Sequence, residues 1–168
     1  MRVAINVAAF YVAWFVAIMA AARGYAWPGV ATCSIGVVLH LALNGPVRSE
    51  MLLLGAVTLA GVIVESVLMA FGFAQYAAPG PFPALPPFWL ISIWTAFGTL
   101  FNVSLAWIQS RLGLAALLGF VAAPLSYCAG EHLGGMTIGA PQAVGLLVIG
   151  CVWAVVFPAL LYLARCAR

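Results

Sequence analysis

Residues 51–73, MLLLGAVTLAGVIVESVLMAFGF, form an apolar run in which Glu65 is the one charged side chain. About 20 apolar residues are enough for a helix to cross the hydrocarbon core of a bilayer, so the run predicts a membrane-spanning helix. A carboxylate at membrane depth costs about 2.5 to 3.5 kcal/mol on insertion scales. Glu65 therefore indicates either a functional site or a side chain that is paired or protonated inside a bundle of helices.

The rest of the chain has the composition of a membrane protein. Of its 168 residues, 67% are hydrophobic and 5% are charged, whereas soluble domains carry about 25% charged residues. The lipid bilayer is therefore the predicted partner. The net charge of +3 is not concentrated in a basic run, and nucleic acid is excluded as a partner because its binding depends on clustered contacts to phosphates.

Five further apolar segments flank the central run, bounded by Pro, Gly and charged residues. The six predicted spans are 3–22, 27–43, 51–73, 88–108, 112–130 and 142–164. Linker 75–87 contains the run PGPFPALPP, which cannot continue a helix and predicts an extended or turn-rich surface loop. The other linkers are short, so the sequence predicts an all-α membrane protein, a bundle of six transmembrane helices that forms one domain over residues 1–168.

Arginines give the predicted orientation, because short cytoplasmic loops are enriched in Arg and Lys. Arg23 lies alone on one side of the predicted bundle. Five arginines share the other side: Arg2, Arg48, Arg111, Arg165 and Arg168. Both termini are therefore predicted to be cytoplasmic. Cleavage of the first segment as a signal peptide is an alternative, but this segment is longer than the apolar core of about 7 to 15 residues that such peptides have.

Two groups of polar residues mark candidate sites. The outer group consists of Glu65 and residues at similar height: Ser66, Thr95, Ser126, Tyr127, Glu131 and His132. The inner group lies nearer the five arginines: Asn6, His40, Asn44 and Asn102. Small and polar residues recur at helical spacing in the middle spans, so helix packing alone is a competing interpretation of both groups. No metal-ligand or cofactor motif has the required spacing, so neither a metal nor a cofactor is predicted.

Glu65 itself has two open interpretations. Its segment contains no basic residue, so either Arg23 reaches it from the outer end, or the carboxyl stays neutral and donates a hydrogen bond. The second case is compatible with a purely structural side chain. As a functional group, Glu65 would instead carry protons or anchor the polar head of a ligand.

Three stretches of the chain together resemble a known family. They are ESVLMAFG at 65–72, PFWL at 87–90 leading to SLAW at 104–107, and PLSYCAG at 124–130. In their order and spacing they are similar to the bacterial inner-membrane proteins grouped as domain of unknown function 2878. That family has no established activity, so the resemblance carries over no ligand or catalytic residue. Its members tend to be encoded near cyclopropane-fatty-acid-synthase-like proteins, which implies a link to membrane-lipid physiology.

The leading hypothesis is therefore a small membrane-embedded binding or accessory protein in membrane-lipid physiology, located in a bacterial inner membrane. Its expected ligand is a lipid or another hydrophobic small molecule, and the oligomeric state is left open. The alternatives are a proton-coupled transporter and an intramembrane lipid-modifying enzyme, although the usual catalytic signatures are missing and the balance is against an enzyme.

Two structural observations would discriminate these hypotheses. Convergence of Glu65, Glu131 and His132 on a cavity open to lipid would favour an enzyme. A dry Glu65 beside a lipid-facing groove would favour an accessory protein. Transporters often contain inverted repeats, but the last predicted span has no acid that corresponds to Glu65 in the third.

Overall fold

Six α-helices and two short strands make up the computed structural model, which describes residues 2–44, 47–139 and 141–167. The elements are α1 (Arg2–Ala21), α2 (Trp27–Leu43), α3 (Val47–Ala70), β1 (Ala74–Tyr76), α4 (Phe88–Gly98), a 3₁₀ turn (Ala106–Ile108), α5 (Leu112–His132), β2 (Met136–Ile138) and α6 (Gln142–Cys166). The all-α prediction is confirmed. Arg168, which was counted in the orientation argument, lies outside the described residues.

Four helices, α1, α3, α5 and α6, are long and apolar enough to cross a membrane. The apolar helices α2 and α4 are shorter, with 17 and 11 residues. In length and composition the chain is therefore compatible with a membrane protein. Helix α3 begins four residues before its predicted span, so it includes Arg48 and Glu50 in its first turns.

The fourth predicted span, 88–108, is interrupted, and the prediction of one continuous helix there was wrong. Helix α4 ends at Gly98, and a series of turns follows it. Two side-chain amides donate hydrogen bonds to backbone carbonyls of these turns: Asn6 to Thr99 at 3.3 Å and Gln109 to Phe101 at 3.0 Å. Buried backbone carbonyls outside a helix need internal partners of this kind, and here polar side chains provide them.

Linker 75–87 is only partly the surface loop that its prolines predict. Its first residues belong to β1, which pairs antiparallel with β2 so that Ala74 lies opposite Ile138. Pro86 and Pro87 at its other end are buried, whereas residues 81–85 are exposed. Strand pairing therefore ties the proline-rich segment to the connection between α5 and α6.

Buried apolar side chains form two clusters that meet at α4. One cluster lies between α1, α2 and α4, and the other joins α3, α4, α5 and α6 with the strands. Glycines allow the close approaches: a Cβ added at Gly119 would lie 2.5 Å from the carbonyl oxygen of Trp153, and one at Gly29 would lie 2.7 Å from Ala17. Small residues thus act as helix contacts, as expected where lipid gives helices no hydrophobic reason to associate.

Candidate functional site

Glu65 is 1% exposed and is surrounded by hydrogen-bond donors. Its Oε1 accepts bonds from Trp94 Nε1 at 2.8 Å and from the Tyr127 hydroxyl at 2.6 Å, and its Oε2 accepts a bond from the Tyr76 hydroxyl. These donors belong to α4, α5 and β1, while Glu65 belongs to α3. One carboxyl group therefore joins four elements at the end of the bundle where the strands lie.

Arg23 does not provide the charge partner that one interpretation gave to Glu65. Its guanidinium is exposed and donates to the carbonyl of Met19 at 3.0 Å. Among the described residues, the only contact between a basic and an acidic side chain joins His40 and Glu50. A carboxylate offers about four acceptor positions, so three neutral donors can satisfy most of the hydrogen-bonding capacity of Glu65 without a cation.

Gly61 explains how Trp94 reaches the carboxyl group. A Cβ at position 61 would lie 2.4 Å from Cγ of the Trp94 indole, so only glycine leaves room for the ring one helical turn before Glu65. The same indole stacks on Trp153, with ring centroids 4.8 Å apart. Trp94 is thus held between α3 and α6 with its N–H directed at the carboxyl group.

The other members of the outer group do not converge on Glu65. Ser66 Oγ is buried and has no hydrogen-bond partner among the described residues. Thr95 Oγ1 lies 2.8 Å from Thr58 Oγ1 in a separate pair. Ser126 is exposed, because the face of α5 that turns inward carries the neighbouring Tyr127 instead.

Glu131 and His132 serve the connection between α5 and α6. The Glu131 carboxyl accepts bonds from the Ile138 backbone N–H at 2.8 Å and from the Gln142 amide at 2.6 Å. His132 is exposed, and its Nδ1 lies 2.9 Å from the carbonyl oxygen of Cys128. Within the described ranges, no three His, Cys, Asp or Glu side chains are placed to hold a metal ion.

Two members of the inner group meet at a second buried acid, Glu50. His40 Nε2 lies 3.0 Å from Glu50 Oε2, and the Asn102 amide donates to Glu50 Oε1 at 2.8 Å. Gln109 donates in turn to Asn102 Oδ1 at 3.1 Å. The sequence analysis did not include Glu50, which lies two residues after Arg48, in the position of an ordinary interfacial charge. The one signal available in the sequence was its spacing of ten residues from His40.

The two remaining members of the inner group bind backbone instead. Asn44 donates to the carbonyl of His40 at the end of α2, at 3.1 Å. Asn6 accepts a bond from Ser104 Oγ at 2.6 Å while its amide donates to the turns after α4. His40 and Asn102 therefore belong to a Glu50 cluster, which Glu50 and Gln109 complete. Asn6 supports the turns after α4, and Asn44 binds the end of α2.

An apolar groove of about 120 Å³ opens beside α3 and α4 under the proline-rich segment. Its lining residues are all apolar: Val62, Gly80, Pro81, Phe82, Leu85, Pro86, Phe88 and Ile91. Pockets that enclose a small molecule usually measure about 300 to 1,000 Å³. The groove can therefore hold a segment of an apolar molecule, not a complete ligand with a polar head.

The comparisons with known proteins give one result. A family model for proteins of unknown function, DUF2878, matches residues 3–159. No curated protein and no solved structure matches the chain. The matched region runs from the first turn of α1 well into α6, and it contains Glu65, the Glu50 cluster and every residue of the groove. The chain therefore belongs to DUF2878, a family of proteins of unknown function.

Proposed function

We propose that this chain is a small membrane-embedded binding or accessory protein of a bacterial inner membrane, and that it holds a hydrocarbon chain of a lipid. The observation that carries the proposal is the wholly apolar groove between α3 and the proline-rich segment. Glu65 lies nearby on α3, but its carboxyl group is buried and accepts hydrogen bonds from three donors. This combination of a dry acid and an apolar groove is the one expected of an accessory protein.

The position of the groove favours a lipid chain as its occupant. Val62 contributes to the groove from α3, and the next residue, Ile63, is exposed on the apolar surface of the same helix. The groove thus continues the surface that lipid covers. Lipid tails in the bilayer are as apolar as the groove, so hydrophobicity alone does not favour a chain in the groove over one in the bilayer. Van der Waals fit has to supply the affinity, and it selects chains by shape.

We also propose that all six helices take part in crossing the membrane. At 1.5 Å per residue, α2 measures about 26 Å and α4 about 17 Å, against a hydrocarbon core of about 30 Å. The turns that follow α4 and the 3₁₀ turn would complete the fourth crossing. Their carbonyls bind Asn6 and Gln109, which supports a position inside the bundle.

Both termini are expected to lie in the cytoplasm, because four of the described arginines, Arg2, Arg48, Arg111 and Arg165, fall on the side opposite Arg23. Alkaline-phosphatase fusions measure this, since the enzyme is active only in the periplasm. A fusion after residue 168 should be inactive, and one within the loop at Pro81 should be active. The reverse pattern would overturn the proposed orientation.

The contacts between helices do not support a transporter built from an inverted repeat. Such a repeat would relate α1, α2 and α3 to α4, α5 and α6. Helix α1 packs along α2, but no comparable contact joins α4 to α5 in the described part of the chain. The contact between α2 and α4 likewise has no counterpart between α5 and α1.

The arrangement of the acids gives little support to an enzyme. Catalysis needs an acid or base that can reach a substrate atom. Glu65 is enclosed by its donors, and Glu131 is engaged by backbone and amide groups at the other end of α5 from the Glu50 cluster. The groove contains no polar side chain that could act on a bound lipid.

Occupation of the groove can be tested by photocrosslinking. The protein is reconstituted with a phospholipid that carries a diazirine in its acyl chain, and labelled peptides are identified by mass spectrometry. Labelling should concentrate on the groove residues. Val62→Trp should fill the groove and reduce that labelling several-fold, whereas Ile63→Trp adds the same ring to the exposed face of the next residue and should have little effect.

Both variants should show the same melting temperature in detergent. Equal melting temperatures would show that a difference in labelling between them arises in the groove. Labelling that spreads evenly over the exposed faces of the helices would contradict the proposal. Equal labelling of the two tryptophan variants would contradict it as well.

A further inference from the structure

We propose that a pocket between the α1–α2 turn and the proline-rich segment binds the anionic, phosphate-bearing head group of a phospholipid. This turn pocket is lined by residues 24–28, Ala78 and Pro79, and its volume is about 520 Å³. Pockets that enclose a small molecule usually measure about 300 to 1,000 Å³. The head-group site rests on the proposed function, because the apolar groove has room only for a hydrocarbon segment of the same lipid.

The proline-rich segment contributes a wall to both the turn pocket and the groove. Ala78 and Pro79 line the turn pocket, whereas the next two residues, Gly80 and Pro81, line the groove. Consecutive Cα atoms are 3.8 Å apart, so the two walls meet between Pro79 and Gly80. A lipid held by its chain in the groove therefore has its head group within reach of the turn pocket.

Ala78 has a strained backbone conformation at the edge of the turn pocket. Its φ of 46° lies in the left-handed region, which is uncommon for residues other than glycine. The preceding residue is held on both sides, because the Ala77 N–H donates to the Gly135 carbonyl and the Ala77 carbonyl accepts a bond from Trp89 Nε1, each at 2.9 Å. Strained backbone of this kind persists where the surrounding structure enforces it, and it clusters at ligand sites. The wall formed by Ala78 and Pro79 is thus fixed by its neighbours.

The opposite wall of the turn pocket carries side chains suited to a membrane interface. It consists of residues 24–28, where the turn after α1 leads into α2. Tyr25 and Trp27 are both exposed, and each combines an apolar ring with a polar group that donates a hydrogen bond. Such side chains are enriched at the level of the lipid head groups. The turn pocket therefore provides the polar contacts that the groove lacks.

Arg23, directly before this wall, supplies a positive charge. Its exposed guanidinium donates one hydrogen bond, to the carbonyl of Met19, and it carries five N–H groups. Within the described ranges no acidic side chain pairs with it. The three acids of the chain, Glu50, Glu65 and Glu131, have partners elsewhere. The free N–H groups of Arg23 are therefore available to a phosphate, whose geometry matches the guanidinium fork.

Charge complementarity selects among phospholipid head groups. One phosphate balances the charge of Arg23. A zwitterionic head group adds an ammonium, and the lining of the turn pocket contains no carboxylate to receive it. The turn pocket should therefore prefer phosphatidylglycerol, which has a net negative charge, to phosphatidylethanolamine.

Two photoreactive lipids test the turn pocket separately from the groove. The protein is reconstituted in phosphatidylcholine vesicles with a small fraction of phosphatidylglycerol that carries a diazirine either in its head group or in its acyl chain. Mass spectrometry then identifies the labelled peptides. The head-group probe should label residues 24–28 and 78–79, and the chain probe should label the groove. Excess unlabelled phosphatidylglycerol should suppress the head-group labelling several-fold, whereas the same excess of phosphatidylethanolamine should have little effect.

Arg23→Gln should lower the head-group labelling about fivefold, which is the strong end of the range for an exposed ion pair. Arg165→Gln is the matched control, because it removes an exposed arginine from the opposite end of the bundle and should leave the labelling unchanged. Both side chains are exposed, so both variants should keep the melting temperature of the unmodified protein.

The outcomes separate this site from the groove. A labelled groove with an unlabelled turn pocket would overturn the head-group site and leave the proposed function in place. Equal competition by the two unlabelled lipids, or equal labelling of the two arginine variants, would also overturn the head-group site. A labelled turn pocket with an unlabelled groove would contradict the proposed function instead.

Discussion

Glu65→Leu is expected to lower the free energy of unfolding by about 3 kcal/mol or more, because each buried donor that loses its partner costs about 1 to 3 kcal/mol. Leucine is apolar and leaves three donors without an acceptor: the hydroxyls of Tyr76 and Tyr127 and the indole N–H of Trp94. These donors belong to three different elements, so the loss of the three hydrogen bonds weakens the contacts between elements at this end of the bundle. Unfolding by SDS titration in detergent micelles measures the effect.

Glu65→Gln is the matched control. The amide oxygen can accept the bonds from Trp94 and Tyr127, and the amide nitrogen can donate to the oxygen of Tyr76. We expect it to lose less than half as much stability as the leucine variant. Equal losses would show that the negative charge, and not the hydrogen bonding, stabilises the site. A well-folded Glu65→Gln protein that no longer labels with lipid would instead show that the carboxyl has a functional role.

Gly61→Ala is the second substitution with a large expected effect. The new Cβ would lie 2.4 Å from the Trp94 ring, which is backed by Trp153 and cannot retreat without losing its bond to Glu65. Overpacking of this kind costs about 1 to 3 kcal/mol. Gly61→Leu should be more damaging still. The melting temperature in detergent and the fluorescence of the indoles both report the displacement.

Gly55→Ala makes the same change in the same helix at a position where an added Cβ meets nothing within 4 Å. It should be neutral or stabilising by up to about 1 kcal/mol, because alanine is the better helix former. Leu68→Ile, at a fully buried position, conserves volume and should cost less than about 1.5 kcal/mol. A Gly61→Ala protein as stable as Gly55→Ala would mean that α3 and α4 are not in close contact.

Helix boundaries could be predicted where Pro, Gly and charge interrupt the apolar runs. The predicted span 27–43 coincides with α2, and α4, α5 and α6 begin at their predicted residues. The predicted start of the third helix was wrong, because charged residues were taken as a boundary, whereas Arg48 and Glu50 lie inside α3. An acid in the first turn of a helix is favourable because of the helix dipole. The strands could not be predicted, since segments of three residues have no usable periodicity.

The candidate sites were predictable only in part. Glu65 is conspicuous because an acid in an apolar run is costly, and Tyr127 was found because it lies at similar height. Tyr76 was missed because an aromatic residue near a span end has an ordinary explanation as an interfacial anchor. Trp94 was missed because it lies within the apolar run of the fourth predicted span, where nothing in the sequence distinguishes it from a packing residue. Only the tertiary structure shows that their donor groups point inward. Glu50 was missed for a related reason, since its burial depends on the turns that replace the second half of the fourth span.

The order of the donors along the chain has a consequence for biogenesis. Tyr76, Trp94 and Tyr127 follow Glu65 by 11, 29 and 62 residues. At about 5 to 20 residues per second, the ribosome completes Tyr127 about 3 to 12 s after Glu65. In the proposed topology, α3 is inserted into the bilayer during that interval, before all the donors of its acid have been made. Stable retention of α3 in the membrane then depends on the later arrival of α4 and α5, which carry Trp94 and Tyr127.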